Sequence, residues 1–199
     1  MLIFLCYSCP VKAQVTFGLK GGPNLSYMSI EKGINYSFHA GAFSEMALND
    51  FFFLQPELLY SGKGTTPRYM SAYDLECKLQ YISMPVLVGW NVTDHLAILS
   101  GPELNYLLEG SSFTYDDTKS VSAENFASWD LAMDFGLTYR ISKKFKVEVR
   151  YSLGLVDVIE IMFSDIFDRP AGSAEEGKNR TLQMSVGCVI GEISKVKGL

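Results

Sequence analysis

Apolar residues recur at every second position in eight segments of this chain, and in six of them the positions between carry charge. This parity constrains the fold more than any other feature, because period-2 alternation marks half-buried strands. Val15, Phe17 and Leu19 alternate with Thr16, Gly18 and Lys20. Phe38, Ala40, Ala42 and Met46 stand against His39, Gly41 and Glu45. Phe52, Leu54, Leu58 and Tyr60 alternate with Gln55, Glu57 and Ser61. Ile82, Met84, Val86, Val88 and Trp90 oppose Ser83 and Gly89, and Leu96, Ile98, Leu104 and Tyr106 oppose Gly101, Glu103 and Asn105. Leu131, Met133, Phe135, Leu137 and Tyr139 oppose Asp130, Asp134, Gly136 and Thr138. Phe145, Val147, Val149, Tyr151 and Leu153 oppose Lys146, Glu148, Arg150 and Ser152. Leu182, Met184, Val186 and Cys188 oppose Gln183, Ser185 and Gly187.

Each segment spans about 9–12 residues, the length of a tilted strand that crosses a bilayer. Lys20, Glu45, Glu57, Glu103, Asp134, Glu148 and Arg150 all fall mid-segment on the polar face, and the opposite face is almost free of charge. A soluble sandwich does the reverse, with its apolar faces packed inward. An Arg or Lys turned to lipid at mid-membrane costs about 2–4 kcal/mol. The parity therefore fixes the register. It places those seven residues in a barrel-interior polar network, where glycines make room for them.

Loop lengths point the same way. The connections at Asn49-Asp50, at Asn91–Asp94 and at Ser142–Lys144 are short; those expected over Ser26–Asn35, Thr65–Lys78, Glu109–Ser128 and Val156–Arg180 are long. Alternating short and long connections fit an all-β, eight-stranded antiparallel up-and-down transmembrane β-barrel. Its short turns are periplasmic and its long loops external. Both termini then lie at the periplasmic end, and eight strands leave no wide channel. Trp90, Tyr139, Phe145, Phe51 and Phe52 fall near the short-turn end, and Tyr36, Tyr60, Tyr106 and Tyr151 toward the other. They are read as two lipid-interface girdles. The stretch Pro56–Tyr60 is echoed by Pro102–Tyr106, as hairpin repetition would produce. Pro56, Pro85 and Pro102 donate no hydrogen bond, so bulges or ladder gaps are expected there.

Composition bounds the rest. The chain has 199 residues and a formal net charge of −5, which argues against a nucleic-acid partner. Residues 1–13 read as the end of a secretory signal peptide, with an apolar run at Leu2–Leu5 and small residues before Gln14. No Lys or Arg precedes that run, which is expected of a start codon assigned too far downstream. The barrel domain is expected over 14–191, with a C-terminal extension at 192–199. Cys6 and Cys9 fall in the leader; Cys77 and Cys188 lie on different strands, with Cys188 toward lipid.

Taken together, the motifs VTFGLKGGPNLS (Val15–Ser26), FHAGAF (Phe38–Phe43), LQPELLYSGKG (Leu54–Gly64) and YISMPVLV (Tyr81–Val88) resemble the PorT-like outer-membrane β-barrels of Gram-negative bacteria. GPELNYLL (Gly101–Leu108), DFGLTYRI (Asp134–Ile141), VEVRYSLGL (Val147–Leu155) and NRTLQMSVG (Asn179–Gly187) extend the resemblance across about Gln14 to Gly191. It implies an exported outer-membrane barrel without catalytic residues, some of whose relatives are linked to protein secretion. The chain departs from the pattern at Cys188-Val189-Ile190, where such barrels commonly end on an aromatic residue. A second departure is Ser83, where a carboxylate is frequent.

No nucleophile elbow, phosphate-binding glycine loop or metal-ligand spacing is present. His39 with Asp134, or His95 with Asp94, can be drawn as dyads, but neither lies at the external rim. No cofactor is expected. The external loops are acidic, and the segment after Val156 is interrupted by apolar residues, the pattern of a short amphipathic helix on the rim or of a docking surface. The expected surroundings are outer-membrane lipid and lipopolysaccharide, with an envelope or secretion protein as partner. The leading expectation is a non-enzymatic barrel with a structural, docking or secretion-associated role. The alternatives are a porin-like small-solute channel, a soluble lipocalin-like barrel with its apolar faces inward, and an enzyme on the outer rim.

Overall fold

The computed structural model describes residues 14–29, 31–66, 75–114, 127–158 and 177–194. These form eight strands: β1 (Gln14–Met28), β2 (Glu31–Ala47), β3 (Phe52–Thr65), β4 (Leu75–Asn91), β5 (Leu96–Thr114), β6 (Trp129–Arg140), β7 (Phe145–Gly154) and β8 (Asn179–Ser194). Each pairs antiparallel with its sequence neighbours, and β1 pairs with β8, which closes the barrel. The expected leader, residues 1–13, lies outside the described residues.

The register fixes the stagger. From Val15 the pairs run through Met46, Leu54, Val88, Ser100, Phe135, Tyr151 and Leu182 and return to β1 at Leu25, ten residues from the start. Ten residues of strand rise against eight strand spacings tilt the strands by about 40°. At that tilt eight strands enclose a space that side chains can fill.

The outer face is apolar. Phe17, Leu19, Phe38, Leu58, Val88, Ile98, Leu137 and Val186 are all exposed on it. Lys20, Glu57, Glu103, Asp134, Glu148 and Arg150 are buried inside. This orientation overturns the soluble, lipocalin-like alternative, which requires the reverse.

The three short turns share one device. Asn49 Oδ1 accepts from the backbone N–H of Phe51 and Phe52, at 2.9 and 2.8 Å. Thr93 Oγ1 does the same for His95 and Leu96, and Ser142 Oγ for Lys144 and Phe145. A side-chain oxygen that mimics a turn carbonyl reverses the strand without glycine.

The structure corrects three expectations. The strands run from 10 to 19 residues, longer than bilayer crossing alone requires. Ser26–Asn35 is not a long loop, because β1 and β2 continue through it and only 29–30 separates them. Its Asn and Ser residues look like loop composition, yet Asn24, Ser26 and Asn35 are inward strand residues. β8 passes the expected boundary at Gly191 and pairs Glu192 with Thr16 and Ser194 with Gln14.

The prolines make ladder gaps, not bulges. The β2–β3 ladder breaks at Pro56, between the pairs Phe43↔Glu57 and Met46↔Leu54. The β3–β4 ladder breaks at Pro85 and the β4–β5 ladder at Pro102. The β1–β8 ladder breaks in the same way at Pro23. The register is unchanged across each gap, because only one N–H donor is missing. At two of these sites a glycine precedes the proline, and the facing strand closes onto it. A Cβ on Gly22 would stand 1.9 Å from the Met184 carbonyl oxygen, and one on Gly101 would stand 2.1 Å from that of Val86. Register shifts occur elsewhere, near Gly18, Tyr81 and Met28.

Candidate functional site

The barrel interior is layered. At the short-turn end Phe53, Leu87, Ala97 and Leu99 form a buried apolar cluster. The Arg140 guanidinium lies over the Phe53 ring at 5.0 Å, and the Lys146 ammonium over the Phe43 ring at 3.8 Å. Both rings occupy space left by inward glycines. A Cβ on Gly89 would meet Phe53 at 2.0 Å, and one on Gly18 would meet Phe43 at 2.4 Å. Glu45 joins the two cations, 2.7 Å from Lys146 and 3.7 Å from Arg140.

The middle layer is ionic. Lys20 donates to Glu57 and to Glu148, each at 2.7 Å. Arg150 donates to Glu57 at 3.0 Å and to Gln183 at 2.9 and 2.6 Å, and its Nε stands 3.4 Å from Asp134. Gln55 donates to Glu57 and Glu148 and accepts from Lys146 at 3.0 Å, linking this layer to the one below. Isolated charges in this space would carry a penalty of several kcal/mol each; the ion pairs and hydrogen bonds offset it, although both Asp134 oxygens lack a hydrogen-bond donor among the described residues.

A second ionic group lies toward the long-loop end. Lys63 donates to Glu103 at 2.6 Å and to Asn105 at 3.1 Å. Ser83, at the position where a carboxylate is frequent, donates to Asn105. Asn179 donates to Asp130 at 2.9 Å. Above them Met28, Cys77, Leu79, Tyr81 and Val158 form a second apolar cluster. Val158 is tied there by backbone bonds to Ala127 and Gly177. It begins the apolar part of the β7–β8 connection; the expected rim helix beyond it lies outside the described residues.

The seven residues of the expected network are thus all inward. Lys20, Glu57, Glu148, Arg150 and Asp134 meet in one group, Glu45 joins it through Lys146, and Glu103 belongs to the upper group. Lys63, Lys146 and Asp130 were not among them. Parity marks all three: Lys63 stands two residues beyond Ser61, and Lys146 and Asp130 lie on faces already read as polar. The expected girdle residues Tyr36, Trp90, Tyr106, Tyr139 and Phe145 are exposed on the outer face; Tyr60 and Tyr151 are half-buried there. Trp129 adds to the long-loop group and packs on Tyr106 with 4.8 Å between ring centroids.

The histidine dyads do not form. His39 Nδ1 bonds Asn24 at 2.7 Å and Nε2 bonds Ser185 at 2.7 Å, so neutral partners occupy both nitrogens. His95 Nδ1 lies 3.1 Å from the Arg140 carbonyl. Among the described residues no group of three or more His, Cys, Asp or Glu side chains is arranged to hold a metal ion. Cys77 is buried near the long-loop end beside Thr65, and Cys188 pairs with Phe145 at the short-turn end, so the two cannot meet.

These features define a class: a small, closed transmembrane β-barrel with an apolar exterior and a charged interior. Residues 11–160 match the family described as outer membrane protein beta-barrel domain, and the chain belongs to that family. Its location is the cell outer membrane. Among solved structures it is similar to Ail, the attachment invasion locus protein of Yersinia pestis. Identity is 10% and the TM-score 0.49, over 90% of this chain and 99% of that one. It is similar to Neisserial surface protein A at 10% identity and a TM-score of 0.48, over 89% and 96% of the two chains. OprG from Pseudomonas aeruginosa follows at 12% identity and 0.40, over 89% and 94%. No curated protein matches the sequence.

Proposed function

We propose that this protein is a closed, non-enzymatic barrel that acts structurally or docks a protein partner of the envelope or secretion machinery. The PorT-like motifs support the secretion-associated form of this reading. The observation that carries the proposal is the filled interior. Interlocked ion pairs occupy the middle, with an apolar cluster around Phe53 on the β3–β5 side toward the short turns and another around Val158 toward the long loops. A water path needs charged groups that face an open lumen, whereas here Glu57, Lys20, Glu148 and Arg150 face one another. The outer wall meets membrane lipid and lipopolysaccharide, which leaves the two ends for a partner.

The test is conductance in planar bilayers. The purified barrel should give no stable steps of porin size, and Arg150→Ala should be needed before current appears. Large, stable channels in the native protein would establish the small-solute channel instead.

A further inference from the structure

The short-turn mouth of the barrel opens into a cavity of about 410 Å³ that reaches the Glu45 and Lys146 end of the interior network. Its lining is amphoteric. Arg140, Lys143 and Lys146 supply positive charge from the β6–β7 side, and Glu45 and Glu192 supply negative charge from β2 and β8. Several of these groups are already committed. Lys146 is held by Glu45 and Gln55, and Arg140 Nη1 donates to Asn91 at 3.0 Å. Glu192 accepts from Gln14 at 2.6 Å through one oxygen, Oε1.

What remains is directional. Lys143 is exposed and forms no ion pair among the described residues. The second nitrogen of Arg140 reaches Glu45 only at 3.7 Å. Thr16 Oγ1 is buried in the wall without a hydrogen-bond partner among the described residues. These are donors, and with three cations against two anions the lining favours a ligand that brings a carboxylate. Glu192 Oε2, on β8 where that strand pairs with Thr16 of β1, makes no hydrogen bond among the described residues and can receive an ammonium.

We propose that this cavity binds a zwitterionic ligand of short-peptide size, with its carboxylate against Lys143 and Arg140 and its ammonium toward Glu192. The volume suits a few residues of peptide, and the mouth faces the periplasm. Such a paired ammonium and carboxylate comes either from a free peptide in the periplasm or from the unlinked diamino-acid end of a cell-wall stem peptide, whose own N-terminus is acylated. The site requires only the barrel and its orientation, and stands whether or not the interior conducts.

The test uses the full chain refolded in detergent micelles, with the heat-modifiable gel shift as the check on folding. Calorimetric titration compares a zwitterionic trialanine peptide with its C-terminal amide and its N-acetylated form. The zwitterion should bind at least about tenfold more tightly than either blocked form, since each block removes a hydrogen bond between charged groups. Lys143→Ala should abolish the discrimination against the amide, and Glu192→Gln that against the acetylated form. Both side chains stand at the mouth, outside the packed layers, so the fold should persist. Equal binding of all three peptides, no binding, or intact discrimination in both variants would overturn the proposal. Co-sedimentation with purified cell-wall sacculi then separates the sources: pelleting assigns the wall, and its absence with intact trialanine binding assigns free peptide.

Discussion

Arg150 is the residue on which the interior turns. It faces Glu57 at 3.0 Å and Asp134 at 3.4 Å, and donates twice to Gln183. At an effective dielectric constant near 20, the Glu57 contact corresponds to about 5 kcal/mol of Coulomb attraction. Arg150→Ala removes it, but it also removes the guanidinium's own desolvation penalty. The net loss should fall in the range of about 3–5 kcal/mol found when one partner of a buried pair is deleted. Arg150→Lys keeps the charge and loses the fork that reaches Gln183 and a carboxylate together, so it should cost about 1–2 kcal/mol. The assay is urea unfolding of the barrel in lipid vesicles, read by the fraction of heat-modifiable band. Adding Glu57→Gln to Arg150→Ala should recover part of the loss, because it removes one of the stranded charges. The reasoning fails if Arg150→Ala is within about 1 kcal/mol of the native protein, or if the second substitution makes matters worse.

Other measurements probe the wall. Gly101→Ala puts a methyl group against the Val86 carbonyl and should lower the folded fraction, whereas Gly191→Ala, with nothing within 4 Å of the new atom, should leave it unchanged. Trp90 and Trp129, at opposite ends of the outer face, should both be quenched more by lipids brominated near the headgroup than by lipids brominated near the chain terminus. In the chain from Gln14 onward, an apolar maleimide should label Cys188 in the folded barrel and reach Cys77 only after boiling. Labelling of both in the folded state would contradict the packing at Cys77.

The parity of the charged residues made the barrel legible, because a charge has only one tolerable side in a membrane wall. The inward apolar residues were not legible in the same way. Phe51-Phe52-Phe53-Leu54 and Leu58-Leu59 are continuous apolar runs, and hydrophobicity alone does not separate Phe53 and Leu59, which face inward, from their outward neighbours. Their placement depends on room made by glycines on adjacent strands, as Gly89 does for Phe53. Lys63 is hidden for another reason: it stands between Gly62 and Gly64, a composition that resembles a turn, two residues from the end of β3 at Thr65. Register shifts left no trace in composition at all, since they depend on which partner strand is adjacent.

The bond from Lys20 to Glu148 joins β1 to β7, 128 residues apart. On an open sheet β1 stands at one edge and β7 next to the other, and only the meeting of β1 with β8 brings them together. Lys20 can reach Glu57 across β2 beforehand, but Glu148 must wait for its ammonium until the seam shuts. Assembly therefore has an order written into it. The Lys20–Glu148 pair completes only when the β1–β8 seam closes.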